Sequence, residues 1–496
     1  MKLNRMVMTG LGVCALGVLA SCAAPGGGSQ DTSALLDRAN RAMGAAMVKS
    51  IRFAGTGTGA TYGQAHQPNL QWPRLNYSSF SRLVDYDNAA MREEFARSRA
   101  EPAGGGAVPL MGEGEQRVVA LVRGDQAWNL VGPAPQPAPV ALDARIHDLW
   151  TSPHGVLKAA MKNKVTASNV TEGGKAYSVL SFTEPGRFSA KAYINEKGLV
   201  ERVDSRLPNH VVGDSSVVTR YSDYRDFGGV QFPARIQQTQ EGAPVIDIEI
   251  KEVQLNPPAD IAVPELIRVF AERAASERAA DGVWFIGGGS HNSVVIEMRD
   301  HIILVESPLY DGRAAAVMAE ARRLVPGKPI RYVVNSHHHF DHSGGVRAAM
   351  SEGATLITSA SAVPFFQRVL ANPNTIKADM LGRSGNSGKA ARVEGVNGKR
   401  MLTDGSRSVE LHLIGDSVHA NGFVMAYLPA EKLLIQADAY TPGAPNSPPP
   451  AKPNGNHLNL IDNIERLGLK VDRILPLHGR MVPVAELYAA AGKKPS

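Results

Sequence analysis

The run Ser336-His337-His338-His339-Phe340-Asp341-His342-Ser343-Gly344-Gly345 constrains this 496-residue chain more than any other stretch. Its His-x-His-x-Asp-His core packs four metal-ligating side chains into six residues. It follows Arg331-Tyr332-Val333-Val334-Asn335, which reads as a buried strand, and precedes a helical pattern. A loop leaving a buried strand is held by a rigid scaffold yet faces outward, where a substrate reaches it. Neutral imidazole together with carboxylate suits zinc and its transition-series neighbours. In an extended segment His337 and His339 project to the same side and reach one ion. Asp341 and His342 fall where the chain begins to coil, within reach of a second ion.

Three later residues extend the set. His419 sits in a loop after a strand pattern, Asp438 ends the apolar run 432–437, and His478 ends the run 473–477. A single histidine at a strand end is ordinarily structural, and Asp438 alone reads equally well as a helix cap or turn residue. A carboxylate closing a buried strand is costly unless it is paired or metal-bound. Taken with the cluster upstream, five His and two Asp predict a two-metal centre. His338 and Phe340 alternate with the ligands and are expected to pack away from the metals. His291, His412 and His457 are candidates for the site's mouth or surroundings.

This ordered set resembles the metallo-β-lactamase fold superfamily over residues 283–490. The resemblance takes in the strand patterns 282–286, 292–297 and 301–306 ahead of the metal motif. It implies an αββα sandwich with the metals at one edge of its two sheets. It also implies that His337, His339 and His419 hold one ion, that Asp341, His342 and His478 hold the other, and that Asp438 bridges them. Glu306 stands where many members carry Asp. A bridging Asp is typical of thioesterases, lactonases and phosphodiesterases of the superfamily, whereas the β-lactamases with this motif generally lack it. β-Lactam hydrolysis is therefore the alternative reading.

The amino terminus carries Lys2 and Arg5, a short apolar run over 6–20 and then Leu19-Ala20-Ser21-Cys22, which resembles a bacterial lipobox. The run is too short for a comfortable membrane span. The expectation is a signal peptide over 1–21, with Cys22 lipidated and a flexible tether over 22–32. The protein would then be exported and membrane-anchored through lipid on the periplasmic face, at the outer membrane in a Gram-negative cell. Cys14, the other cysteine, lies in the segment removed, so the mature chain offers no disulfide and no thiol nucleophile.

The formal charge is +6, and loss of Lys2 and Arg5 leaves +4. Without Lys/Arg runs or interleaved aromatics, this small excess argues against nucleic-acid partners and for a small-molecule substrate.

Residues 33–260 read as a β-rich antiparallel accessory domain, giving an α+β chain overall. A helix is expected over 33–43, capped by Asp31-Thr32, and a hairpin turns at Asn195-Glu196-Lys197-Gly198. Low-complexity stretches at 102–114 and 133–139 are expected to be loops. The run 221–233 resembles periplasmic lipoprotein-carrier proteins, which opens a second alternative: a lipid- or hydrophobic-ligand-binding protein. No catalytic constellation is evident in this half. Residues 261–282 read as a linking helix, and the Pro-rich 441–456 as a loop bordering the active-site mouth.

The chemistry follows from two divalent ions, with zinc expected. A bound ion lowers the pKa of water from about 15.7 to roughly 7, making hydroxide available to attack an ester, thioester, lactone or related bond. Asp341 is the candidate catalytic residue, orienting the nucleophile or carrying a proton.

Overall fold

The computed structural model describes residues 31–100, 114–386, 388–445, 448 and 452–493. The expected signal peptide, Cys22 with nearly all of the expected tether, and nearly all of the loop expected at 102–114 lie outside the described residues.

Local sequence accounts for the first element. The helix Thr32–Met43 begins where Asp31 accepts hydrogen bonds from the Ser33 and Ala34 amides, and it ends at Gly44. It buries Leu35, Ala39 and Met43, the spacing of one helical face. Thirteen strands then pair antiparallel, running from Ala134–Pro137 at one edge to Thr166–Glu172 at the other. The closing strand Ala243–Leu255 pairs with the opening strand Ser50–Ala60, so the two halves of the meander meet mid-sheet. The expected hairpin joins Phe188–Ile194 to Val200–Asn209.

Helices Leu142–Trp150 and Gly155–Lys162 fill one face of this sheet with Leu149, Trp150, Val156 and Leu157, packed with Phe53, Phe182, Phe188 and Phe232. The cavity left beside Phe53, Phe80, Arg82, Asp148, Tyr221 and Ile248 is about 20 Å³, room for roughly one water.

Two expectations change. Residues 133–139 are not wholly a loop: Ala134–Pro137 adds an edge strand, where proline is tolerated because no neighbour needs its N–H. The linking helix is a single turn, Glu265–Arg268. Ala275–Ala280 instead pairs antiparallel with Val283–Gly287, turning at Gly282. An open sheet edge offered backbone hydrogen-bond partners along one side of that segment, and this outweighed its helical spacing.

The C-terminal half is an αββα sandwich. A seven-stranded sheet faces a six-stranded one. Their shared core includes Val283, Ile296, Ile303, Val424, Ile435 and Leu475. Helices Asp311–Leu324 and Val363–Ala371 cover the first sheet, and Gly455–Arg466 and Val484–Ala490 the second. The strands Ile302–Val305, Ile330–Val334 and Thr355–Ser359 run parallel, as do Leu433–Gln436 and Arg473–Pro476. Their carboxyl ends therefore open on one edge, where connecting loops gather. Among the described residues no helix is long and apolar enough to cross a membrane.

Candidate metal centre

The residues at that edge are those the motif singled out. His337, His338 and His339 follow Ile330–Val334, and the one-turn helix Phe340–Ser343 carries Asp341 and His342. Asp438 lies just past Leu433–Gln436, His478 just past Arg473–Pro476, and His419 in the loop after Ser408–Leu413.

They fall into two clusters. His337, His339, His419 and Asp438 form one, and His291, Asp341, His342 and His478 form the other, with ligand atoms in each within 4.8 Å of one another. Asp438 reaches both. Its Oδ2 lies 2.8 Å from His419 Nε2, 3.5 Å from His337 Nε2 and 3.2 Å from His342 Nε2, and its Oδ1 lies 2.7 Å from His478 Nε2.

The donor set fits metal ions on this structure's own geometry. Both Asp438 oxygens are buried and complete no hydrogen bond, and the same holds for Nδ1 of His339. His337 and His419 bring their Nε2 atoms to 3.1 Å, and His342 and His478 theirs to 3.2 Å. Converging ring nitrogens explain themselves as ligands: two donors about 2 Å from one tetrahedral zinc stand roughly 3.3 Å apart.

Electrostatics agree. Burial, then the neighbouring imidazoles, hold His337 and His339 far below the usual histidine range, in the neutral form that ligates. Burial pushes Asp438 up, but His342 and His419 outweigh it and hold the carboxyl ionised; His342 and His291 do the same for Asp341. Burial would lower His342, yet Asp438 and Asp341 raise it well above its ordinary value. The carboxylates thus draw positive charge to the spot between the clusters.

A supporting shell fixes the rings. Glu306, fully buried at the end of Ile302–Val305, pairs with His342 Nδ1 at 2.9 Å and accepts from Ser336 Oγ at 2.6 Å. His478 Nδ1 lies 3.1 Å from the Ser290 carbonyl, and His339 Nε2 lies 3.0 Å from the Ala65 carbonyl. Each such contact selects the tautomer that leaves the other nitrogen free to ligate.

Ala65 belongs to the N-terminal domain, as does Gln64, whose Nε2 donates to Asp341 Oδ1 at 2.8 Å. That half reaches the site, although no catalytic constellation is evident in its sequence. No motif announces Gln64 or Ala65, since their contact joins positions 277 and 274 residues apart. His291, a candidate for the site's mouth or surroundings, stands among the ligand atoms, with Nε2 3.1 Å from Asp341 Oδ2. A signal for Glu306 did exist, because it closes an apolar strand as Asp438 does. His338 turns away, its Nε2 2.7 Å from the Ala65 carbonyl. His412 pairs with Glu410, and His457 lies edge-on to Tyr440, both outside the clusters.

Residues 286–478 match the metallo-beta-lactamase superfamily, and the C-terminal half contains a domain of that superfamily. The 2,4-dinitroanisole O-demethylase subunit alpha of Nocardioides sp. (strain JS1661) is 26% identical over 199 residues, covering 40% of this chain and 55% of its own. The chain therefore spans about half the length of this curated relative. Among solved structures, a metallo-beta-lactamase from Pontibacter korlensis aligns over 44% of this chain and 98% of its own at 14% identity, with a TM-score of 0.34. The metallo-beta-lactamase FIM-1 from Pseudomonas aeruginosa, in a mono-zinc form, aligns over 45% and 95% at 19% identity, also with a TM-score of 0.34.

Proposed function

From a metallo-beta-lactamase domain that gathers two His/Asp clusters around Asp438, we propose that this protein is a two-zinc hydrolase. Its substrate is a small molecule carrying an ester, thioester, lactone or related bond. The observation that carries this reading is Asp438, a buried carboxylate whose unpartnered oxygens reach imidazoles of both clusters.

His337, His339 and His419 would hold one ion and Asp341, His342 and His478 the other, with His291 beside the second group. Zinc supplies Lewis acidity and water ionised near neutral pH. Asp341 would orient the attacking water through its carboxylate or carry its proton. Asp438 keeps the two clusters in register, and Glu306 and Ser290 hold the rings of His342 and His478 at fixed angles. Burial of these groups strengthens each electrostatic contact made to charge developing on the substrate.

Cys22 anchors the exported protein to a membrane in this reading, and the partner is a small molecule rather than nucleic acid.

Elemental analysis of protein purified without chelator, with turnover assays on an ester, thioester, lactone and β-lactam panel, tests the proposal. The relative's name adds an aryl methyl ether to that panel. Two zinc ions per chain with ester, thioester or lactone cleavage support it. Full activity with at most one ion per chain contradicts it, and β-lactam cleavage alone favours the alternative.

A further inference from the structure

The link 61–73 joins the paired strands Ser50–Ala60 and Arg74–Asp85 of the N-terminal sheet. It is far longer than a hairpin needs, and connections of this length ordinarily serve a purpose beyond turning the chain. Here it lies along the metal motif of the other domain. The Phe340 amide donates to the Gly63 carbonyl at 3.2 Å, and the Asn421 amide to the His66 carbonyl at 2.8 Å. His66 Nε2 lies 3.0 Å from the Ser417 carbonyl. The Ala65 carbonyl faces Nε2 of both His338 and His339. Tyr62 and Trp72 set their rings edge-on to Phe340, with centroids 5.1 and 5.9 Å away. Gly63 has φ +81°, and a Cβ there would stand 2.4 Å from the Phe340 ring. Only glycine permits so close an approach.

Gln64 stands at the centre of this strap. It is buried, and its Nε2 donates to Asp341 Oδ1 at 2.8 Å while Asp341 Oδ2 faces His291 and His342. Its own Oε1 is buried without a hydrogen-bond partner. Buried acceptors are ordinarily paired, so the unpaired Oε1 does not account for the side chain's placement. The bond to Asp341 does.

We infer that Gln64 is a positioning residue of the metal centre, supplied by the N-terminal domain. It holds one oxygen of Asp341 so that the other points into the cluster of His291, His342 and His478. The inference rests on the two-metal reading above. Removing a residue that orients a ligand typically costs 10–100-fold in metal affinity.

The test is a zinc titration of the metal-stripped, full-length protein against a chromophoric chelator. Asp341→Ala serves as the reference that identifies the binding step belonging to its cluster. In Gln64→Met, which keeps the length of the side chain, that step should weaken 10–100-fold. The other step and the melting temperature of the metal-free chain should stay at wild-type values. Gln64→Ala is the second variant should methionine fail to pack, with the same expectation. Wild-type affinity at both steps in a folded variant overturns the inference and leaves the two-metal reading intact. So does equal weakening of both steps with a lowered metal-free melt, which would make Gln64 a structural residue. A wild-type chain that binds one ion or none overturns both.

Discussion

Glu306 Oε2 lies 2.9 Å from His342 Nδ1, with both side chains fully buried. Glu306 holds this pairing from a left-handed backbone conformation, φ +70°, which costs a non-glycine residue about 1–2 kcal/mol. The Ser336 amide, Ser336 Oγ and Asn335 Nδ2 all donate to the same carboxylate, so the surroundings fix the strained residue in place. The carboxylate increases the basicity of His342 and keeps its Nε2 turned toward Asp438.

Glu306→Gln should therefore retain the fold and lose metal affinity at the cluster of His291, Asp341, His342 and His478 by about 10–100-fold. Chelator competition reads the loss. Glu306→Leu, which strands the donors of Ser336 and Asn335, should in addition destabilise the domain by about 2–4 kcal/mol. Denaturant unfolding of the metal-free chain checks this second outcome.

The metal motif was legible because its ligands cluster in sequence and because each later ligand closes an apolar strand. His337, His339, Asp341, His342, His419, Asp438 and His478 all sit in the two clusters. His291 was harder to place, since a lone histidine between strands carries no local mark of ligation. Gln64 and Ala65 were invisible, because backbone carbonyls and amide side chains acquire their roles only when the domains meet. The helical spacing over 266–278 misled, since a periodic pattern does not show that a sheet edge lies within reach. The strand alternation of residues 33–260 was readable, but its pairing order was not. Closure of the opening strand on the closing one is a long-range event with no local signature.

Cys22→Ala should abolish membrane attachment. The expectation rests on the basic Lys2 and Arg5, the apolar run and Leu19-Ala20-Ser21-Cys22. A single acyl chain gives only marginal binding, so stable anchoring needs the multiple acylation a lipobox cysteine receives. Fractionation of cells expressing each form decides the matter. A processed variant still in the membrane pellet would remove the anchor from Cys22.

His154 should make the N-terminal domain acid-sensitive. Its ring is fully buried, stacks on Phe232 and donates from Nε2 to the Met43 carbonyl at 3.1 Å. Burial, with Lys158 nearby, lowers it to about 4 despite that carbonyl. The folded state thus binds the proton less readily than the unfolded chain, whose histidine titrates near 6.5. Stability is fully present above about 6.5 and falls as the pH drops toward 4, by up to about 3 kcal/mol from this group. His154→Gln should flatten that part of the pH dependence. Tryptophan fluorescence during urea unfolding at pH 8 and pH 5 measures it, with Trp128 and Trp150 reporting from this domain. An unchanged difference between the two pH values in the variant would assign the acid sensitivity to other groups.

Asp438→Asn should abolish turnover while leaving the fold. The strand Leu433–Gln436 supplies the local core through fully buried Leu433, Leu434 and Ile435, and the substitution leaves these side chains intact. The change removes the carboxylate that meets His419, His342 and His478, so the clusters lose their shared negative charge. Loss of several kcal/mol of charge stabilisation corresponds to a drop in kcat on the order of a thousandfold or more. Some thermal stability should also disappear in zinc-containing buffer, because bound metal stabilises the folded state by mass action. Adding chelator separates the two effects. Wild-type protein should then melt at a lower temperature, while the variant, already deprived of metal, should move little. A variant with near-normal turnover would show that the two clusters do not act through Asp438.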